Sequence, residues 1–399
     1  MQLAALLRLA LLSLALCTAL RAQHEVWVVS GSAGPGVDFQ TIQAAIDAAA
    51  DGDTVLVRPG TYPAFVSDGK GLQIVAARNT WPRILVGSQG SLVSNVPAAS
   101  SFTLRGFSFD AGNDPAAPPA PAALRVVNCP GRVRIDLTHV VGIKRWMAIE
   151  ACEAIALTRS GNCALSASDA NLVLHDCTFI SPFPQIAGED ALHAAELVRC
   201  TLDAQVAHFH GGVGGPSGSN CSVPGGNGGD GLRLVDSSAK LLHCSAQGGG
   251  AGGSWPSQGG GACPGAPGQA FALIASALID EPGDSLTLVI GGHAIAREGE
   301  NLTLQVLAKP GDFALLALGT VSAHTDWPAL NGTLLLDPTS ALLLPVGVVG
   351  TGSAQVGFIV PELGPGVSVR HCIAQGLFLK SFGWQLGSST SLSLLDGAL

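Results

Sequence analysis

The chain is short of charge and of aromatic side chains, and each shortage removes a class of function. Charged residues are only 12% of 399, no Lys or Arg run occurs, and the formal net charge is −9. Binding a phosphate backbone needs clustered cations that displace counterions, so nucleic acid is not an expected partner. One tyrosine and six tryptophans leave no evident aromatic platform for stacking ring ligands, with Trp255 the aromatic most open to test. CxxC and HExxH spacings are missing, which argues against a closed zinc site. Past the N-terminus, no stretch reaches about 18 uninterrupted apolar residues, so no transmembrane segment is expected. Nothing in the sequence specifies an oligomeric state.

Glycine, in contrast, is abundant at 52 residues, which suits short strands and turns and argues against a helical bundle or coiled coil. Residues 1–22 carry Arg8, a leucine-rich run from Leu9 to Leu16 and a small residue, Ala22, before Gln23. That is the layout of a cleavable signal peptide, so the expected product is exported, either secreted or at the cell surface. Cys17 follows Leu16, where lipid attachment would want a small residue.

Cysteines at 129, 152, 177, 200, 221 and 244 are separated by 23, 25, 23, 21 and 23 residues. Several close a short alternating strand and precede a hydroxyl residue, as in Leu172-Val-Leu-His-Asp-Cys177-Thr and Lys240-Leu-Leu-His-Cys244-Ser. A repeat of this length made of strands and turns predicts stacked β coils, with equivalent residues about 4.8 Å apart. The thiols are then expected as one internal ladder of small apolar side chains and not as nucleophiles. His175 and His243 are expected at turns.

Phe39, Ile42, Ile46 and Ala49 form a helical stripe, with Asp38 expected as N-cap and Gly52 as the stop. Such a helix would cap the exposed apolar end of a solenoid before its first strand, Thr54 to Val57. Asp38-Phe-Gln-Thr-Ile-Gln-Ala-Ala-Ile-Asp47, then Gly52-Asp-Thr-Val55 and Pro59-Gly-Thr-Tyr62, resembles the opening of pectin-lyase-like right-handed parallel β-helix proteins. The resemblance implies an all-β fold over residues 23–280. It leaves the chemistry open, because that superfamily holds lyases, hydrolases, esterases and adhesins.

Segments 211–231 and 248–268 each hold ten glycines and one cysteine, Cys221 and Cys263. They are expected as loops protruding from the coils, and a Cys221 to Cys263 disulfide would join them if the loops approach. Gly225-Gly-Asn-Gly-Gly-Asp230-Gly-Leu232 resembles one copy of a calcium-binding nonapeptide, which makes Asp230 a candidate metal ligand and calcium a candidate ion. Residues 281–399 lose the cysteine spacing and carry short strands between Pro and Gly turns, which predicts a small antiparallel β-sandwich. Text such as Leu334-Leu-Leu-Asp-Pro338 resembles C-terminal modules of exported proteins from bacteria such as planctomycetes.

Catalysis on a polysaccharide would need carboxylates converging on one groove. The candidates are Asp169, Glu189, Asp190, His210 and Arg233, whose order resembles that of polygalacturonases, although the Asn-Thr-Asp text and the Arg-Lys pair of those enzymes are missing. Two readings result. One is an exported scaffold that binds or displays, with a polysaccharide as a candidate partner. The other is a polysaccharide lyase or glycoside hydrolase. Convergence of three or more of the five candidates in one groove would favour the enzyme, and dispersal would favour the scaffold.

Overall fold

The computed structural model describes residues 24–112, 122–142, 146–182, 187–217, 223–253, 263–281, 287–290, 295–326, 330, 332–350, 352–365, 367–380 and 383–397. The leader, Cys221 and Trp255 lie outside the described residues.

From Val26–Val29 to Ala277–Glu281, 22 strands form one parallel system in which each strand pairs with its equivalents on neighbouring coils. Val26–Val29 pairs with Thr54–Val57, which pairs with Gln73–Ala76, and the stacking continues to Ser238–Leu242 on Ala277–Glu281. This is a parallel β-helix. Its interior is built from columns of like side chains: Tyr62 lies over Ile84 and Ile84 over Phe109, and further along Cys163 lies over Phe179 and Phe179 over Phe209. The Phe179 and Phe209 rings stack with centroids 5.7 Å apart.

The helix α1, Ile42–Ala48, covers the N-terminal end and buries Ile42, Ala45 and Ile46. Its N-cap is Thr41, whose hydroxyl accepts the Ala44 N–H, and its C-cap is Ala49. Asp38, expected in the capping role, instead accepts the Val28 N–H across the entering strand at 2.8 Å.

The cysteine spacing mixes two positions on the coil. Two corners of the coil place a residue in the left-handed region, and these residues stack as two columns. One column runs through Asn95, Asn128, Ala151, Asp169, Arg199, Asp236 and Ala275, and the other through Leu137, Arg159, Asp176, Val206 and His243. Each non-glycine residue held there costs roughly 1 kcal/mol. At most of these corners the next residue is small and carries a donor that turns back to the carbonyl two positions earlier, whereas Val96, Ala170 and Ala207 fill the position with apolar side chains. Cys129, Cys152, Cys200, Ser237 and Ser276 do this at the first corner. Thr138, Ser160, Cys177 and Cys244 do it at the second. Several also reach the previous coil, as Ser237 Oγ does to the Leu197 carbonyl at 3.1 Å.

The thiols therefore form two ladders and not one. Cysteine, serine and threonine share the position because each is a compact donor that can sit against a core. Coil length varies, with 18 residues from Ala151 to Asp169 and 39 from Asp236 to Ala275. The first gap, Cys129 to Cys152, is one full coil at the first corner, whereas Cys177 lies at the second corner, Cys200 at the first and Cys244 at the second.

The glycine-rich segments are also not simple protrusions. Runs 188–194, 211–217, 225–231, 248–253 and 263–269 lie side by side as extended chains joined by backbone hydrogen bonds at every third residue. Antiparallel neighbours are linked by Gly229 N–H to Gly212 O and Gly226 N–H to Gly215 O, and by Gly268 N–H to Gly249 O and Gly265 N–H to Gly252 O. Parallel neighbours are linked from Gly225, Gly228 and Gly231 to Cys263, Ala266 and Gln269. A repeat of three without internal bonds is the geometry of the polyproline II helix. Glycine is required because a Cβ on Gly226 would strike the Glu189 carbonyl, and one on Gly249 the Gly212 carbonyl. Cys263 is disulfide-bonded.

The C-terminal module has a three-stranded sheet (Thr287–Ile290, Asn301–Leu307, Ser353–Ile359), a five-stranded sheet and a two-stranded sheet. It is mixed, because Ile295–Arg297 pairs in parallel with the final strand, Gly383–Leu395, while its other pairings are antiparallel. Its own core includes Leu302, Leu304, Leu316 and Phe378. This module lies along the outer face of the parallel sheet: Val28, Leu56 and Val75 pack with Ile295, Val369 and Leu395, and Ala156 and Val173 pack with Leu335.

Candidate functional site

The five nominated residues do not meet. Asp169 sits exposed at a left-handed corner, where Arg199 grips its carboxylate through two 2.7 Å bonds and holds it below the usual carboxylate range. Glu189 and Asp190 lie on the glycine bundle, where the Glu189 carbonyl accepts the Gly215 N–H and the Asp190 carboxylate accepts the Asn227 N–H at 2.6 Å. His210 ends the strand His208–His210, between Ile180 and Gln247 of the neighbouring coils.

Arg233 belongs to a cluster with a residue that was not nominated, His193. The His193 Nε2 lies 3.0 Å from Arg233 Nη1, and its Nδ1 lies 3.2 Å from Asp230 Oδ2. The Asp230 backbone N–H donates to the same Nδ1 at 2.9 Å, so the ring is held from both sides by the glycine run and by Arg233. The other Asp230 oxygen accepts the Gln269 N–H at 2.8 Å. Asn227, three residues earlier, does the same for the Ala266 N–H at 2.8 Å. The text Gly-Gly-Asn-Gly-Gly-Asp is thus explained as a period of three: two glycine faces packed on backbone and one face of side-chain acceptors holding the next run. The calcium-like pattern at Asp230 and this hydrogen-bond pattern are spelled with the same residues.

A different set of residues converges where the C-terminal module lies against the sheet. A cleft of about 590 Å³ is lined by Arg132, Glu153, Asn171, Asp203, Lys240 and His324, among others. Its floor is formed by outward-facing side chains that stack along the sheet, with Asn171 over Thr201 and Asp203 over Lys240. Its roof is the hairpin of Ser322–Asp326 and Thr333–Leu336, tied down by the Thr333 hydroxyl donating to Asp203 at 2.6 Å.

Deeper in the same interface, Arg105, Arg134, Asp136, Thr158 and His175 are all below a tenth exposed. Asp136 is 3.6 Å from Arg105 and 3.8 Å from Arg159. Burial alone would raise its pKa, but Arg105, Arg159 and Arg134 together pull it below the usual carboxylate range. Arg134, Arg159 and Arg105 donate to Ser389, Thr390 and Ser391 of the final strand. His175, expected at a turn, is instead fully buried in this row with neither ring nitrogen hydrogen-bonded. Burial pushes its pKa down to about 3, so it is neutral at ordinary pH.

No family model matches this chain, and no curated protein matches it. Among solved structures, it is similar to the tailspike protein gp49 from Acinetobacter baumannii bacteriophage Fri1, a capsular polysaccharide depolymerase. That likeness has 9% identity and a TM-score of 0.29, over 94% of this chain and 86% of that one. A likeness at that level carries no argument.

The cleft residues were not nominated because nothing marks them in the text. Arg132, Asn171 and Lys240 sit at outward positions of ordinary alternating strands, and His324 lies 192 positions beyond Arg132. The signal available was the stacking register, which places Asn171, Thr201 and Ser238 in one outward column.

Proposed function

We propose that this chain is an exported β-helix scaffold that binds a polyhydroxylated, carbohydrate-type ligand in the cleft between the parallel sheet and the C-terminal module. The observation behind this is the lining: Glu153, Asn171, Thr201, Asp203 and Lys240 along one floor supply both donors and acceptors over about 590 Å³. Pockets of about 300–1,000 Å³ are the usual size for small ligands. Binding and display are favoured over cleavage by the dispersal of Asp169, Glu189, Asp190, His210 and Arg233 over a corner, the glycine bundle and separate strands.

A panel of acidic and neutral polysaccharides, incubated with the mature protein with and without calcium, tests this by following retention and chain length together. Retention without shortening, weakened at least tenfold by Asn171→Ala with Lys240→Ala and unchanged in Asp190→Ala, is the expected result. Shortening of any polysaccharide that disappears in Asp190→Ala would sink the scaffold reading in favour of a lyase or glycoside hydrolase.

A further inference from the structure

At Arg132 and His324 the cleft meets a smaller chamber of about 60 Å³, which both residues also line. The chamber walls include Gln73, Arg134, His371 and Ser391, and none of the described residues lining it is acidic. A single water needs about 10–15 Å³ on this measure, so the chamber has room for one small polyatomic ion.

The charge around it is unbalanced. Arg132 is half-buried and forms no ion pair among the described residues. Arg134 is 6% exposed and donates from Nη2 to Ser389 Oγ at 3.0 Å, while its Nε has no partner. Behind it, Asp136 is shared among Arg105, Arg159 and Ser391. Three buried or nearly buried guanidiniums thus face one carboxylate, and Arg132 adds a fourth cation at the mouth. Desolvation pushes both His324 and His371 below the ordinary imidazole value, so the positive charge comes from the arginines. Burying an unmatched ion costs several kcal/mol. Guanidinium is the side chain whose planar donors best match an oxyanion.

We propose that this chamber is a binding site for a tetrahedral oxyanion, sulfate or phosphate, held between Arg132 and Arg134 at the seam of the β-helix and the C-terminal module. The anion neutralises the excess cationic charge and bridges the helix and the module. The site stands whether or not the outer cleft takes a saccharide. The same chemistry could reach it as a free ion or as an ester on a longer chain entering along the cleft.

Equilibrium dialysis with labelled sulfate and labelled phosphate, at fixed ionic strength set by chloride, measures the site directly. One ion per chain is expected, with Tm rising with the logarithm of ion concentration. Arg132→Gln, which breaks no ion pair among the described residues, should lose at least tenfold in affinity and abolish the Tm response. Arg199→Gln, on the far corner, should change neither. Binding of a sulfated oligosaccharide without response to the free ions would support the same site supplied by an ester. No binding of either form, or binding undiminished in Arg132→Gln, would overturn the assignment.

Discussion

The Asp136 carboxylate, on the parallel sheet, accepts both the hydroxyl and the backbone N–H of Ser391, in the final strand, at 3.1 and 3.3 Å. These two residues are 255 positions apart, and their contact sits at the centre of the only arginine-rich patch buried among the described residues. It fastens the C-terminal module along the outer sheet face and so creates the cleft beneath it.

Removing that carboxylate strands three guanidiniums away from water. Asp136→Ala is expected to cost about 3–5 kcal/mol, the usual penalty for breaking a buried ion pair from one side. Urea unfolding checks the magnitude. Limited proteolysis should show residues 295–397 cut before the β-helix, and equal protection of helix and module in the variant would contradict the clasp.

His175 gives the seam a pH dependence of known sign. Its folded pKa of about 3 lies below the unfolded value of about 6.5, so the unfolded chain binds more protons between those limits. Stability therefore falls as pH drops from about 6.5 toward 3. Asp136 acts lower down: because its pKa is depressed, its contribution is complete above the ordinary carboxylate range and is lost as pH falls through that range toward the folded value. His175→Leu should flatten the slope of Tm against pH in the upper window. It should also add roughly 1 kcal/mol at pH 7 by removing two unbonded ring nitrogens.

The glycine bundle makes a paired prediction. Gly226→Ala and Gly249→Ala each drive a methyl into a neighbouring carbonyl, whereas nothing lies within 4 Å of a Cβ on Gly253. The first two should expose residues 188–269 to hydrogen exchange and protease. Gly253→Ala should leave exchange unchanged, with stability the same or up to about 1 kcal/mol higher from a stiffer unfolded chain. Equal behaviour of all three would refute backbone-to-backbone packing.

Three of the corner thiols, Cys152, Cys177 and Cys200, should be inert. Cys152, Cys177 and Cys200 are at most 3% exposed. Burial pushes Cys177 up to about 12 and raises Cys200, and the hydrogen bond to Cys129 raises Cys152. A thiol reagent at pH 8 should label none of them until denaturant is added. Rapid labelling of Cys177 in the native protein would count against the corner role. Cys177→Ser should cost at most about 1.5 kcal/mol, because serine already fills the same position at Ser160 and Ser237.

Sequence alone was enough for the β-helix, its capping helix and the strands of the C-terminal module. The signals there are short-range: alternation along a strand, a three-to-four residue stripe from Ile42 to Ile46, and turns rich in glycine and asparagine. The same local text misplaced Asp38, which serves a strand and not the helix. It also merged the cysteines into one ladder, because a spacing near 23 does not reveal which of two corners a thiol occupies. Asp230 stood out in the sequence only as a candidate calcium ligand, and its hydrogen-bond partner, Gln269, depends on which run lies alongside.

The tertiary structure alone decided the rest. Only folding brings Arg132 to His324, Asp203 to Thr333 and Asp136 to Ser391, since each pair joins a stacked coil to a module that returns along its side. A stacked sheet specifies its own interior through a repeated pattern. It leaves its outer face to whichever later segment can match the charge and shape it presents, and that match is made in space between residues that share no local pattern.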